Sequence, residues 1–347
     1  MIDTTFQDVK KVINHIPDIE ELNNSSILIT GATGMIGISI SAILLYLNRV
    51  KYTDITIYLA GRNKEKLINR FLPFIEGKDY FFIQYDATAL LDFNQSFDFI
   101  IHGASNASPD LYTSKPVETM LANILGVHNL LSYAAEHHTK RLLYISSSEV
   151  YGKKEDNQPY LEDDYCYLDI LNDRASYPSA KRASETLCVS YANEYSIDTV
   201  IVRPGHIYGP SILPGDQRAS ASFSRNVLRG ENIIMKSAGH QLRSYCYSMD
   251  CASAILTVLI KGENKQAYNI SNKDSIVSIK DIAFAIAKAG NREVIFENPD
   301  DVEMKGYNLM SNSSLNSDKL EKLGWKASFS LEEGTQRTIT LLERGMI

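Results

Sequence analysis

Two residues four apart could share a proton. Tyr177 and Lys181 stand in "RASYPSAKRASE" with Y-x-x-x-K spacing. On a helix, positions i and i+4 face the same way. An ammonium beside a phenol favours the phenolate, so Lys181 is expected to draw the tyrosine down from its usual pKa of ~10. Such a tyrosine serves as general base toward an alcohol and as acid in the reverse step. Just upstream, "YISSSEVYG" (144–152) sets serines and Glu149 at the end of an apolar run. Hydroxyls and a carboxylate where a buried strand should stop point to polar chemistry at a strand end.

A second constellation binds rather than reacts. "TGATGMIG" places Gly31, Gly34 and Gly37 after the apolar run Ile27–Ile29 and before a helical stretch at 35–49. Glycines there let the backbone touch a pyrophosphate, and a helix N-terminus offers free N–H groups and a positive dipole end. The turn therefore predicts a dinucleotide site. An acid at the end of the second strand usually holds the ribose. Here that strand ends in Ala60, Gly61 and Arg62. Arg62 could meet a 2′-phosphate, a lean toward NADP that leaves NAD open. Asp86, in "QYDAT", is placed either to touch the adenine or to cap a turn.

The elements that must position these groups alternate. Strands are expected at 54–60, 80–86, 97–105, 141–148 and 198–209, with helices at 64–75, 116–138 and 179–196. Apolar strands separated by helices predict an α/β fold with a parallel sheet covered on both faces. Phe6, Val9, Val12, Ile13 and Ile16 suit a short amphipathic helix. After Gly209 the pattern breaks. A short helix is expected near 219–229, and a strand and helix at 244–260 that return to the sheet. A smaller mixed segment follows from about 272, with a loop at 310–319 and a last helix near 330–345. The organisation expected is an N-terminal helical extension (1–24), a dinucleotide-binding unit (25–209 with 244–271) and a smaller lobe (210–243 with 272–347).

Composition narrows the function. The chain has 347 residues and a formal net charge of −7, which argues against a nucleic-acid binder. Cys166, Cys188, Cys246 and Cys251 form no C-x-x-C pair, so reduced thiols in a cytosolic protein are expected and no metal site is. The first 24 residues carry acids and no apolar h-region, and no run of 18 apolar residues occurs, so neither a signal peptide nor a membrane span is expected.

With "TGATGMIG", "SSSEVYG", "YPSAK" and "RPGHIYGP" all present, the chain resembles the extended short-chain dehydrogenase/reductases, the NAD-dependent epimerase/dehydratases. The likeness runs over nearly all of 25–345. It implies a Rossmann doubly wound sheet and a smaller C-terminal lobe holding a nucleotide-diphospho-sugar. It also implies a homodimer paired through helices 116–138 and 179–196.

On this resemblance the dinucleotide is NAD or NADP. It is held by Gly31, Thr33, Gly34, Met35, Ile36, Gly37, Arg62, Asp86, Ala87, Ala104 and Lys181. Ser147 bonds the sugar's 4-oxygen beside Tyr177, and Ser148 and Glu149 face its C5–C6 end. The 4,6-dehydratases carry Asp-Glu here, whereas Ser-Glu resembles the UDP-glucuronate decarboxylases. The loop "HGASNASPDLYTSKP" and Arg243 in "HQLRSYCYSMD" match that branch too. Ser105, Ser108, Asn123, Arg174, His206 and Arg243 are the implied substrate-side residues, with Asn123 ordering the active-site helix. Three further readings stand beside decarboxylation: a net 4-ketoreductase of a dTDP-4-keto-6-deoxy sugar, a 4-epimerase, and a silent dinucleotide-binding scaffold.

Overall fold

The computed structural model describes residues 2–71, 79–89, 91, 93, 95–105, 109–172, 174–297 and 311–345. Helix α1 (Ile2–Val12) leads into β1 (Ser26–Thr30), α2 (Met35–Tyr46), β2 (Thr56–Gly61), α3 (Lys64–Phe71), β3 (Phe81–Gln84) and β4 (Phe99–His102). Then come α4 (Pro109–Ser114), α5 (Pro116–Glu136), β5 (Arg141–Ile145), α6 (Ser176–Tyr195) and β6 (Thr199–Pro204). The chain goes on through β7 (His206–Tyr208), α7 (Ala219–Leu228), β8 (Ile233–Met235), β9 (Leu242–Tyr247), α8 (Ser248–Lys261) and β10 (Ala267–Ile270). It ends with β11 (Ile276–Ser278), α9 (Ile279–Ala289), β12 (Val294–Phe296), β13 (Asn312–Ser313), α10 (Asp318–Glu321) and α11 (Leu331–Glu343).

Seven parallel strands form the main sheet in the order β10-β6-β5-β4-β1-β2-β3. Strands β1, β5 and β6 are apolar because both faces are covered. The order reverses between β1 and β4, which opens a crevice at their C-terminal ends. A smaller sheet joins β11, β9, β13 and β7, and β12 pairs with β8. These lie in the C-terminal part of the chain, where the notably buried Trp325 donates to Ser253 of α8 at 2.9 Å.

Two expected strands change place. The run 198–209 divides at Gly205 into β6 and β7, which enter different sheets. A Cβ on Gly205 would stand 2.8 Å from the carbonyl oxygen of Ser244, so glycine permits this close crossing. The strand expected to return at 244–247 instead pairs with β7 and β11, and β10 makes the return to the main sheet. Strand β9 is buried along almost its whole length, so its pattern could not say which sheet it joins. The helix expected over 64–75 is described to Phe71, and its remainder lies outside the described residues. Among the described residues, no helix is long and apolar enough to cross a membrane.

Candidate active site

The crevice begins at the glycine turn. Gly31 has φ +70°, and a Cβ there would lie 2.6 Å from the carbonyl carbon and oxygen of Gly103. A Cβ on Gly37 would lie 2.6 Å from the Gly31 oxygen, so the third glycine seats α2 against the turn. Gly34 is different: a Cβ there meets only the Gly31 oxygen, at 3.3 Å. It caps α2 with no side-chain hydrogen bond, which leaves the first-turn N–H groups without a side-chain acceptor. That arrangement fits a pyrophosphate. Thr33 and Ile36 are part-buried in this stretch, and Met35 is buried.

Around the turn, the Thr30 hydroxyl lies 2.7 Å from Nδ1 of buried His102 and accepts from the amides of Gly103 and Ala104 at 3.2 and 3.3 Å. Arg62 is exposed at the end of β2, with no acid beside it in the strand. Asp86 caps its turn through the amide and hydroxyl of Thr88 at 2.9 and 2.8 Å, and those bonds hold its carboxyl below the ordinary value. Ala87 packs where a Cβ on Gly126 of α5 would come within 3.0 Å.

Deeper in, α6 starts at Ser176, so Tyr177 and Lys181 share its first turns. The Ser147 hydroxyl lies near the Tyr177 phenol and favours its ionised form. Ser147 also caps the short 3₁₀ turn Ser148–Tyr151 by accepting from the Glu149 amide at 3.2 Å. Strand β5 thus stops at Ile145, earlier than the expected 148, because the serines cap a turn. Lys181 Nζ donates to the Ile145 carbonyl at 2.9 Å and lies 4.7 Å from the Tyr144 ring centre and 5.6 Å from that of Tyr177.

The electrostatics correct one expectation. Burial raises Tyr177 above the ordinary phenol value, and the nearby Ser147 hydroxyl only partly offsets it. Burial also draws Lys181 down to about 7, opposed chiefly by the Glu185 carboxylate one turn on. Desolvation therefore dominates the phenol's shift, and the groups that act against it are Ser147 and Arg218.

Glu149 is exposed, yet protein packs around its carboxyl. That crowding raises its carboxyl, and the guanidiniums of Arg174 and Arg243 act against the rise. Arg243 is buried on β9 and donates to its neighbour Leu242's carbonyl at 2.8 Å. His206, on β7, sets its ring 5.7 Å from Tyr245. Burial holds it neutral at about 3, aided by Arg243 and Arg218. Ser105 donates to the Asn123 carboxamide oxygen at 2.9 Å, and the Asn123 amide donates to the Thr119 carbonyl at 2.8 Å. Asn123 is thereby fully engaged between loop and helix. Ser148 is part-buried beside Glu149, and Ser108 lies outside the described residues.

Four contributors escaped the sequence reading. Tyr112 stacks on Tyr177. Arg218, paired with Asp216 at 2.6 Å, bears on Tyr177 and His206. His102 bonds Thr30, as above. Glu185 is bound by Arg203 at 2.6 and 3.0 Å. Only Glu185 had a visible signal, standing four residues after Lys181 on the same helical face.

The fold and this site define a dinucleotide-dependent oxidoreductase-like enzyme with a Tyr–Lys pair. The chain belongs to the NAD dependent epimerase/dehydratase family, whose model matches residues 27–271. It is 28% identical over 324 residues to UDP-glucuronic acid decarboxylase 1 of Xenopus tropicalis, covering 92% of this chain and 73% of that one. It is also 28% identical to dTDP-D-glucose 4,6-dehydratase of Mus musculus, covering 90% and 87%. Its fold matches UDP-glucose 4-epimerase of Thermotoga maritima with a TM-score of 0.75 at 21% identity, over 93% of this chain and all of the other.

Proposed function

We propose that this enzyme acts on a nucleotide-diphospho-uronic acid and removes its carboxyl group as carbon dioxide. The observation that carries the reading is the charge pattern at the end of β5. Glu149 stands under the influence of two guanidiniums, Arg174 and Arg243, and the position before it is Ser148 rather than an acid able to protonate a leaving hydroxyl. Two arginines about one carboxylate leave positive charge for an anionic sugar and its diphosphate. Decarboxylases stand among the relatives, beside dehydratases at the same 28% identity.

The dinucleotide is assigned to the main-sheet crevice, and the nucleotide sugar to the side formed by 210–243 and 272–347. Gly31, Gly34 and the first turn of α2 would hold the pyrophosphate, with Lys181 and Tyr177 near the reacting end. A dinucleotide held there would supply reversible hydride transfer at sugar C4 and positive charge beside a phenol that burial disfavours as phenolate. Tyr177 removes the 4-hydroxyl proton, and Ser147 holds that oxygen. A ketone at C4 lies β to the C6 carboxylate. The C5–C6 bond can then break, its electron pair passing to the C4 oxygen as carbon dioxide leaves. Ser147 and Tyr177 donate to that developing oxyanion, a role worth ~3 kcal/mol per donor in other enzymes. Glu149 orients and repels the carboxylate. Arg243 is assigned to the C5 side of the sugar, where its guanidinium would orient the group that protonates C5.

One observation favours a second reading. Arg62, exposed at the end of β2 without an acid, suits a 2′-phosphate, and NADPH suits a net 4-ketoreductase. Exposed Val117 and Leu121, one turn apart on α5, support a homodimer through α5 and α6.

The deciding experiment identifies the dinucleotide released on denaturation. It then incubates the protein with UDP-glucuronate or a dTDP-4-keto-6-deoxyglucose, with and without NADPH. Carbon dioxide released without added cofactor is the expected result. Stoichiometric NADPH loss on the keto sugar, with no carbon dioxide from the uronate, replaces decarboxylation by net reduction.

A further inference from the structure

Tyr177 is the second residue of α6. Side chains on a helix lean toward its N-terminus and rest on the preceding turn. Tyr177 has no preceding turn, so its ring needs a wall from elsewhere. Tyr112 of α4 supplies it. The two rings stack with centroids 5.2 Å apart and planes 16° from parallel, and Tyr112 is buried. The Ser176 hydroxyl donates to the Tyr112 carbonyl at 3.1 Å. The Arg174 guanidinium lies 5.8 Å from the centre of the Tyr112 ring and reaches its hydroxyl at 3.5 Å. One aromatic ring therefore touches both the base and an arginine that bears on Glu149.

We propose that Tyr112 is a positioning residue that sets the plane of the Tyr177 phenol and ties it to Arg174. Placement of an anionic group at Arg174 and proton transfer at Tyr177 then depend on one ring. The identity of that anion rests on the uronate reading; the coupling of the two side chains does not.

The test compares wild type with Y112L, Y112F and R174Q, each loaded with its dinucleotide, for kcat, KM and the pH profile of kcat on UDP-glucuronate. Misplacing a catalytic group by about 1 Å costs on the order of 10²-fold, so Y112L is expected to lose about that much kcat and to shift its pH profile. Y112F keeps the ring and should recover most of the loss, with KM raised about threefold by the missing hydroxyl. R174Q should lower kcat as well as raise KM. Should wild type release no carbon dioxide, the uronate reading fails by itself, and the same variants are compared in NADPH-dependent reduction of the keto sugar.

A substrate-free measurement completes the design: the ¹⁹F spectrum of 3-fluorotyrosine placed at position 177. One narrow line in wild type that broadens or splits in Y112L supports the proposal. Y112L with wild-type kcat and an unchanged ¹⁹F line, or R174Q altering KM alone, overturns it.

Discussion

The three glycines of the turn should fail in different ways when each is given a methyl group. At Gly31 the backbone is left-handed, and the new carbon would sit 2.6 Å from the Gly103 carbonyl and 2.8 Å from the Ala104 amide. Both are backbone atoms at the end of β4 and cannot swing aside. Left-handed strain of about 1–2 kcal/mol and overpacking of about 1–3 kcal/mol sum to roughly 2–5 kcal/mol of lost stability for G31A. That corresponds to a fall in Tm on the order of 5 °C or more. At Gly34 the φ is −77°, open to alanine, and the single 3.3 Å contact yields with a small shift. G34A should therefore keep its Tm but obstruct the approach of the pyrophosphate. Losing one hydrogen bond to a charged group costs about 1.5–3 kcal/mol, which is about a tenfold to hundredfold rise in Kd for the dinucleotide. Thermal unfolding and dinucleotide titration of both variants separate the effects. Wild-type Kd in G34A would show that the turn does not cradle the pyrophosphate. An unchanged Tm in G31A would refute the contact argument.

Two further outcomes follow from buried charge. Glu185 and Arg203 form a two-point pair that also reaches the Tyr151 hydroxyl at 2.9 Å and the Glu162 carbonyl at 2.7 Å. R203M should cost about 3–5 kcal/mol in urea unfolding, and adding E185Q should restore part of it; strictly additive losses would contradict this. E185Q alone removes the charge that opposes the fall of Lys181, so the alkaline limb of activity should move to lower pH. His102 is held neutral by burial, at about 3 against an ordinary 6.5. The unfolded chain therefore binds the extra proton across that window, and stability is lost as pH falls from about 6.5 toward about 3. H102Q should show a shallower dependence there, by up to about 1.4 kcal/mol per pH unit; equal slopes would mean that His102 does not drive acid unfolding.

The main sheet was legible in the sequence because its signals are local. Ile27–Ile29, the glycine turn and the helix after it occupy twenty consecutive residues, 27–46, and each restricts the next. The limits were tertiary. Gly205 looks like an ordinary strand interruption until the carbonyl of Ser244 is beside it, and β9 reads as buried without revealing its partners. Helix α6 begins earlier than the expected 179, since proline at 178 is tolerated in a first turn.

In the active site, residue identity could be read more readily than residue state. Tyr177 and Lys181 share the first turns of one helix, with the ammonium 5.6 Å from the ring centre, but the sign of the phenol's shift was not in the spacing. An i, i+4 relation predicts proximity, and proximity in water would favour phenolate. Here the pair is buried, and Lys181 spends a hydrogen bond on the Ile145 carbonyl while losing its own affinity for the proton. The charge that acts against burial comes from outside the pair: from Glu185 for the lysine and from Arg218 for the tyrosine. A Y-x-x-x-K motif thus states which groups are neighbours, and their proton affinities are set by burial and by residues outside the motif. E185Q and R218Q should accordingly move the pH profile by different routes. E185Q acts on the lysine and shifts the alkaline limb down. R218Q removes a cation that favours the phenolate, so it should shift the rise in activity on the acid side to higher pH. Identical profiles for the two variants would show that the Tyr–Lys pair sets its own pKa values after all.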